Sequence, residues 1–509
     1  MKNRCIRIIL AAIAFVLLGA WPVFASGTGD QMPDLTGKRI GVQTGTTTEQ
    51  ILMDNIKDVQ LLYYESSADM LLALRENRID AFAENEPNLR RLASLNGDIT
   101  VYRMENVEFE SFAPFFARSE KGRTLKKQYD DFYAKLKSSG EADQIINKWL
   151  DRPEEELRGL DYGSLPGTNG TLQIATDPTY PPFEYIRDNQ LAGLEMEIMV
   201  QFCKEYGYRP EFSYVAFTGI VSGVSTGKFD IGAGALAITE ERSKNGLFGT
   251  PFFDSYVAVA VPLEGAAAAA GGAEMTLADK FRATFLAENR WQMFAQGILV
   301  TLKILVLSVL FGTVLGFAVY LLTRNGNGAA NAVTNFCKGV IQGFPMVVLL
   351  MILFYVVFSR TGISAEWVAV IGFTMTFACA VHGLLDMGGK TVDPGQTEAA
   401  YSLGYSNMRT FFRFILPQII TRILPSYKDE IVNHIKATAI VGYISVVDVT
   451  KVGDIIRGRT YEAFLPLIAV SLIYFLMAFL MKLLLDLLAK KLDTRRRKEI
   501  RILKGLEKK

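Results

Sequence analysis

Residues 394–418 read PGQTEAAYSLGYSNMRTFFRFILPQ, a mixed polar and aromatic stretch between two long apolar segments. The apolar segment before it covers 366–385, and the one after the next polar region covers 464–489. A helix needs ~20 apolar residues to cross a bilayer, so both segments predict membrane-spanning helices. The stretch 394–418 is therefore predicted to start in a loop that connects two membrane helices.

The residue types inside this loop predict a short helix, a turn and a second helix. Ala399 and Ala400 would allow the first helix to lie close in a groove of a partner protein. Gly404 can adopt the left-handed conformation that ends a helix, and Pro417 fits the first turn of the next one. An ordinary helix-loop-helix between membrane spans is the alternative.

The order Glu398-Ala399-Ala400, Gly404 and Leu416-Pro417 resembles the EAA loop of ABC importer permeases. It looks most like the polar amino-acid branch, where a Gly-Gln pair precedes the loop, as Gly395-Gln396 does here. In that family the loop docks a separate ATPase subunit in the cytoplasm. The resemblance implies that role for Glu398, Ala399, Ala400, Gly404, Leu416 and Pro417.

The permease resemblance has departures as well. The family usually carries an acidic residue and then an arginine where this chain has Gly383 and Asp386. Its Arg-Gly-Thr-Pro turn appears here as Gln342-Gly343-Phe344-Pro345. These differences leave the expected fold intact but concern the path of the solute.

Five segments predict five membrane helices in an all-α domain over 290–490: 299–323, 332–358, 366–385, 428–449 and 464–489. The fourth is interrupted by Asp429, His434 and Lys436, and ionisable groups at membrane depth usually face a bundle interior. Five helices are too few to enclose a transport path alone. We therefore expect a homodimer, or a heterodimer with another permease, embedded in membrane lipid.

The two ends of the chain set the predicted orientation. Residues 1–25 combine a basic start with an apolar run and a small residue at position 25, as secretory signals do, although retention as an anchor is possible. Residues 491–509 form a basic tail, expected in the cytoplasm. The prediction is a multi-pass protein of the bacterial inner (plasma) membrane. Lys451, Arg457 and Arg459 then fall in an outer loop, against the usual charge bias.

Charge and motifs exclude several classes of function. The net charge of +1 gives no reason to expect nucleic acid, and the only histidines, His382 and His434, lie in the membrane region. We therefore expect no metal site and no cofactor. Gly389-Lys390-Thr391 resembles the end of a phosphate loop, but the required glycine is replaced by Leu384. The chain is expected to be a transport subunit rather than an enzyme, with ATP hydrolysed by a partner.

Two stretches ahead of the membrane segments read as α/β structure. One contains LTGKRIGVQTGTTTEQ at 35–50, and the other contains IATDPTYPPFEY at 174–185. Both resemble polar amino-acid solute-binding proteins, the two-lobed type II clamshell receptors of ABC importers. The resemblance places lobe two and the closing helices at 36–160 and lobe one at 171–262, with a linker over 263–289 that contains the alanine-glycine run 265–273.

The order of these two pieces is reversed relative to the family. We infer a circular permutation joined through the polar, glycine-rich segment 153–170. Two truncated receptors in tandem are the alternative.

The resemblance also implies a solute site between the lobes. Arg242 matches the position that clamps a carboxylate, Asp177 a cleft carboxylate, and Tyr180 and Phe217 the aromatic sandwich. Further substrate-binding residues are Thr46, Thr47 and Asn85. The threonines open a predicted helix, where N–H and hydroxyl groups bind anions or simply cap the helix.

Two differences from the family concern the solute itself. The usual ammonium-binding aspartate aligns with Asn85, and a family hydroxyl is replaced by Ala237. The flanking Glu84 and Glu86 would point to the opposite face of a strand. We therefore expect a polar amino acid or a similar small carboxylate.

Taken together, these features predict the permease subunit of an ABC importer with a fused extracytoplasmic receptor. The main alternative is the same importer with its clamshell as a regulatory sensor, or one for a solute other than an amino acid. A receptor-gated channel would carry a selectivity-filter loop, and a sensor kinase a cytoplasmic histidine domain. A fused hydrolase would need catalytic groups outside, where the predicted exterior has no histidine.

Overall fold

The computed structural model describes residues 32–263, 276–326, 328–462 and 464–492. The predicted signal at 1–25, the alanine-glycine run 265–273 and the tail from 493 onward lie outside these residues. The strands are β1 Arg39–Gln43, β2 Gln60–Tyr64, β3 Ala81–Asn85, β4 Ile99–Arg103, β5 Glu110–Phe112, β6 Phe115–Phe116, β7 Thr171–Thr176, β8 Thr179–Tyr180, β9 Glu184–Arg187, β10 Gln190–Ala192, β11 Arg209–Tyr214, β12 Ile231–Gly232, β13 Leu247–Phe248, β14 Phe253–Ser255 and β15 Val257–Pro262.

The α-helices are α1 Thr48–Asn55, α2 Ser67–Arg75, α3 Glu86–Asn96, α4 Glu120–Ser138, α5 Glu141–Asp151, α6 Leu194–Glu205, α7 Phe217–Ser225, α8 Glu240–Asn245, α9 Leu277–Phe281, α10 Arg290–Thr323, α11 Gly328–Gly343, α12 Met346–Ile352, α13 Ala365–Lys390, α14 Pro394–Ser402, α15 Asn407–Thr410, α16 Leu416–Ala437, α17 Val449–Thr460 and α18 Phe464–Leu492.

The α/β part contains two five-stranded sheets of the same design. One has the order β2-β1-β3-β15-β4, and the other has the order β11-β7-β12-β6-β13. In each sheet the first three strands are parallel and the fourth is antiparallel to both neighbours. We call the lobe built on the first sheet lobe two, and the lobe built on the second sheet lobe one.

Each sheet takes its fourth strand from the other stretch of the chain. Strand β15 at 257–262 crosses into the sheet of lobe two, and β6 at 115–116 crosses into the sheet of lobe one. Between the lobes, β5 pairs antiparallel with β14, in the register Phe112 to Phe253. These paired crossings form the hinge of one two-lobed body.

Aromatic packing anchors the two helices that close lobe one. Helix α4 begins at Ser119, whose hydroxyl accepts from the Gly122 N–H at 3.0 Å. Its buried Tyr129 makes an edge contact with Phe202 of α6 at a centroid distance of 5.8 Å. Burying an aromatic side chain contributes ~1.5–3 kcal/mol. Apolar residues thus recur at short intervals along α4 and α5 because they pack against the core of lobe one.

Among the described residues, three helical segments are long and apolar enough to cross a membrane: Leu277–Thr323, Ala365–Lys390 and Phe464–Lys490. A pair of helices, Gly328–Gly343 and Met346–Val357, would make a fourth crossing, but it is bent by 102°. The bend falls at Phe344-Pro345. Proline has no N–H to donate and disfavours helical geometry in the residue before it.

The predicted fourth span differs most from the structure. It was placed at 428–449, whereas helix α16 already begins at Leu416 and is followed by a 3-10 turn at Thr438–Ile444. Of the three interrupting groups only His434 turns inward: it is buried and lies 2.9 Å from the Ser308 hydroxyl, whereas Asp429 and Lys436 are exposed. Because charged residues interrupt α16, apolar length alone locates this helix poorly.

Candidate functional site: the cleft between the lobes

All seven predicted substrate-binding residues line one small cavity between the lobes, about 30 Å³ in volume. Lobe two supplies three of them and lobe one supplies four: Thr46, Thr47 and Asn85, then Asp177, Tyr180, Phe217 and Arg242. An open groove of about 1100 Å³ adjoins the cavity and shares Thr46, Thr47, Phe217 and Arg242 with it. We call the cavity and groove together the cleft.

Arg242 joins the two lobes through its guanidinium group. It lies on α8, whose N-cap Thr239 accepts from the Arg242 N–H at 3.1 Å. The guanidinium donates to the Ala237 carbonyl at 2.9 Å and across the cleft to the Gly45 carbonyl at 3.0 Å. Burial lowers the pKa of Arg242, but its ordinary value is so high that the group keeps its charge.

A hydrogen-bonded chain crosses the cleft opposite Arg242. The Tyr180 hydroxyl donates to Asn85 Oδ1 at 2.7 Å, and Asn85 Nδ2 donates to Glu110 Oε2 at 2.9 Å. The Thr47 hydroxyl also donates to Glu110. Glu110 lines both the cavity and the groove, yet no sequence motif identifies it as a site residue.

The two threonines after β1 have different partners. Thr46 donates to the Gln43 carbonyl at 2.9 Å and so closes the turn after the strand. Thr47 stands at the N-cap of α1, but its side chain makes no capping hydrogen bond. Simple helix capping is therefore wrong for Thr47, because its hydroxyl is turned into the cleft toward Glu110.

Asp177 is buried and already has several partners. Its carboxylate accepts from the Thr179 hydroxyl at 3.0 Å and from the Phe217 N–H, at the start of α7, at 3.0 Å. The Lys451 ammonium lies 3.7 Å away. Asp177 thus connects the cleft to a helix that follows the fourth predicted span.

That helix, α17, contacts both lobes and we call it the outer helix. Arg457 pairs with Asp69 of lobe two, and Lys451 approaches Asp177 of lobe one. Its Gly458 lies against Thr179, where an added Cβ would meet side-chain and backbone atoms at 2.8–3.0 Å. Beside this contact, a cavity of about 320 Å³ lies between the outer helix and Asp177 of the cleft.

One carboxylate gathers arginines from three parts of the molecule. Glu154 pairs with Arg91 of lobe two, Arg187 of lobe one and Arg459 of the outer helix. Its side chain is 21% exposed, so the cluster is largely withdrawn from water. Burial raises the pKa of Glu154, but the three arginines outweigh it and the net shift is downward.

At the opposite end, the predicted docking loop has the expected turn geometry. Gly404 has φ +80°, and its N–H donates to the Tyr401 carbonyl at 2.8 Å after helix α14. Glu398 and Ala399 are exposed, whereas Ala400 is buried. Leu416 and Pro417 open α16. Exposed apolar side chains accompany them: Tyr401, Leu403, Met408 and Phe412.

Comparison with known proteins identifies both halves of the chain. Residues 172–268 match bacterial extracellular solute-binding proteins, family 3, and residues 308–497 match the binding-protein-dependent transport system inner membrane component. The first match falls on lobe one and β15, and the second covers most of the membrane helices and the loop at Glu398.

Curated relatives match the membrane half. A putative glutamine transport system permease of Rickettsia bellii is 31% identical over 199 residues, covering 39% of this chain and 91% of the relative. An L-cystine transport system permease of Bacillus subtilis is 31% identical over 189 residues, covering 36% and 79%. A solved amino acid ABC transporter with histidines is 32% identical, covering 39% and 94%, with a TM-score of 0.37. The chain belongs to the inner-membrane permease family of binding-protein-dependent ABC transporters and carries a solute-binding domain fused to the permease.

Proposed function

We propose that this chain captures an amino acid, or a similar small carboxylate, in its clamshell and passes it through its own permease domain. The observation that carries this proposal is the convergence of the seven predicted residues on one cleft. The printed names of the relatives, which include glutamine and L-cystine permeases, favour the same class of solute. The clamshell would work outside the inner membrane.

Energy would come from ATP hydrolysed by a separate subunit. The described residues contain no phosphate loop, and the exposed residues of the loop around Glu398 and Gly404 favour an ATPase-docking role for it. Glu398, Ala399, Gly404, Leu416 and Pro417 would contact that subunit, whereas Ala400 is buried within this chain. ATP binding there would draw two loops together, which requires a permease dimer with either an identical or a related chain.

The five-span topology is proposed with α16 as the fourth span. Together with the bent pair and the three apolar helices, α16 would bring the chain from an outer clamshell to a cytoplasmic end. The inward-facing His434 supports this placement, because polar groups at membrane depth face the bundle.

The two α/β stretches would form a single permuted receptor. The exchanged strands favour this over two truncated receptors, since β6 lies between β12 and β13 in the sheet of lobe one. Expressed alone, residues 171–263 would lack that strand and the helices α4 and α5. We expect no cooperative melting of this fragment by circular dichroism, and cooperative melting would favour the tandem arrangement.

The decisive experiment is a binding and uptake assay on the whole chain. We expect one or more amino acids to raise the melting temperature of the purified protein, and Arg242→Ala to remove the shift. Cells that express the chain with its ATPase should accumulate that solute. Glu398→Ala should stop uptake while leaving binding intact. Failure of every amino acid and small carboxylate to bind would overturn the proposal.

A regulatory sensor is the second candidate, and one observation favours it. Arg242 is engaged by the Ala237 and Gly45 carbonyls, and Asn85 by Tyr180 and Glu110, so the cleft residues bind one another. If the bound amino acid alters uptake of a different compound but is not itself accumulated, the sensor function is correct.

A further inference from the structure

We propose that Glu110, on the hinge strand β5, accepts the ammonium group of the solute in place of the charge missing at Asn85. This inference rests on the proposed amino-acid function and names the residue that makes the cleft selective for a zwitterion. It requires that Asn85 be poorly suited to the task, that Glu110 have free acceptor capacity, and that the other carboxylates of the small cavity be poorer partners.

Asn85 has little capacity left for a cation. Its Oδ1 accepts from the Tyr180 hydroxyl at 2.7 Å, and its Nδ2 donates to Glu110 at 2.9 Å. This orientation of the amide is required, because an ionised carboxylate can only accept. One lone pair on a neutral oxygen is a weak partner for an ammonium group with three donors.

Glu110 has both the charge and the acceptor sites. A carboxylate offers about four lone-pair positions, and among the residues that the structure describes only the Thr47 hydroxyl and Asn85 Nδ2 donate to this one. Within the described ranges, Glu110 forms no ion pair with a lysine or arginine. It also lines the open groove, so an entering solute can reach it.

Asp177 and Glu184, the other carboxylates that line the small cavity, are poorer partners for an ammonium group. Asp177 accepts from Thr179 and from the Phe217 N–H, and the ammonium of Lys451 lies 3.7 Å away. Glu184 is 1% exposed, and burial raises its pKa well above the ordinary value, with Glu195 and Asp177 adding to the effect. Burial therefore disfavours the charged form of Glu184, which is the form that would attract an ammonium group.

Glu110 and Arg242 together give the cleft two opposite charges. Both line the small cavity and the groove, and the nearby Glu110 carboxylate partly opposes the lowering of the Arg242 pKa by burial. A zwitterion could place its carboxylate toward Arg242 and its ammonium toward Glu110. The hinge position matters as well, since Glu110 pairs with Ser255 of β14 where the lobes join.

The test is a charge exchange between positions 85 and 110 in the full-length protein. Affinity is measured by isothermal titration for the tightest-binding amino acid and for its desamino analogue, the same molecule without the ammonium group. The variants are Glu110→Gln, Asn85→Asp and the double variant. Glu105→Gln, an exposed carboxylate five residues away that lines neither the cavity nor the groove, is the matched control.

We expect Glu110→Gln to weaken the amino acid by about tenfold to a hundredfold, the usual range for a hydrogen bond to a charged group. The desamino analogue should change less than about threefold, and the double variant should recover most of the lost affinity. Unchanged binding of the amino acid by Glu110→Gln would overturn the inference, as would equal losses for both ligands. Absence of amino-acid binding in the wild-type protein would instead overturn the proposed function.

Discussion

At the scale of single residues, the cleft is organised by a few groups whose partners lie on the opposite lobe. Arg242 of lobe one donates to the Gly45 carbonyl of lobe two, and Tyr180 of lobe one donates to Asn85 of lobe two. Such contacts form only when the lobes approach each other. The residues predicted to bind solute are therefore the same side chains that join the two lobes.

Arg242→Lys should weaken solute binding by at least about tenfold. Lysine offers a single ammonium, which cannot reach the Ala237 and Gly45 carbonyls together as the planar guanidinium does. Isothermal titration with the preferred solute measures the effect. Lys244→Arg is the control, because Lys244 lies on the same helix with a side chain that is 70% exposed. Equal affinity in Arg242→Lys and wild type would contradict this role.

Glu84→Gln should reduce the loss of folding stability that the wild-type protein undergoes as the pH rises. Burial raises the pKa of Glu84 to about 7, although Ser67 and Asn88 donate to it and act in the opposite direction. The folded state then holds a proton that the unfolded state releases near 4.5, so wild-type stability falls between about pH 4.5 and 7.

The measurement for Glu84 is thermal unfolding of wild type and variant from pH 5 to 8. The difference should grow in favour of Glu84→Gln with a slope of at most ~1.4 kcal/mol per pH unit. Glu76→Gln is the control, since that side chain is 42% exposed. A difference that does not depend on pH would contradict the argument.

At the scale of elements, turns and helix ends decide where the chain changes direction. The break at Phe344-Pro345 bends one predicted span by 102°, and Gly404 ends the short helix α14 with φ +80°. From the sequence, the segment at Phe344-Pro345 is recognised only as a departure from a turn of the family. The end of the helix at Gly404 is predicted from the glycine itself, and the structure confirms it.

Gly404→Ala should reduce ATP-driven uptake several-fold without changing solute affinity. A Cβ at positive φ costs ~1–2 kcal/mol, and an added Cβ has open space around it, so the effect comes from the backbone alone. Uptake in cells and titration of the purified protein measure the two quantities separately. Gly339→Ala is the control, because Gly339 lies within helix α11 with equally open space. A parallel loss in both variants would argue against the loop.

How far the sequence could predict the fold depends on the range of the interactions. Local signals located Gly404 and Pro417, and the resemblance to solute-binding proteins identified seven residues that lie in one cleft. Glu110 was missed because its importance comes from a contact with Asn85, which lies on a different strand and 25 positions earlier in the chain. The span at α16 was misplaced because Asp429, His434 and Lys436 break its apolar pattern.

At the scale of the whole molecule, the outer helix explains an anomaly in the charge pattern. Lys451, Arg457 and Arg459 fall in a predicted outer loop, where they run against the usual bias toward the cytoplasm. In the structure each lies against a carboxylate of the α/β part: Asp177, Asp69 and Glu154 respectively. These ion pairs tie both lobes to the same helix and account for cations at this end of the permease domain.

Arg457→Gln and Asp69→Asn should each lower uptake, and the double variant should lower it no further than either change alone. The two groups form an ion pair between the outer helix and lobe two. Without Asp69, Arg457 keeps only Asp454 of its own helix, and without Arg457, Asp69 has no cationic partner among the described residues. Solute affinity should change less than about threefold, because neither side chain lines the cavity at Arg242. Arg78→Gln, on a side chain that is 71% exposed, controls for the lost charge. Additive losses in the double variant would mean that the two residues act separately and that the pair does not couple receptor to permease.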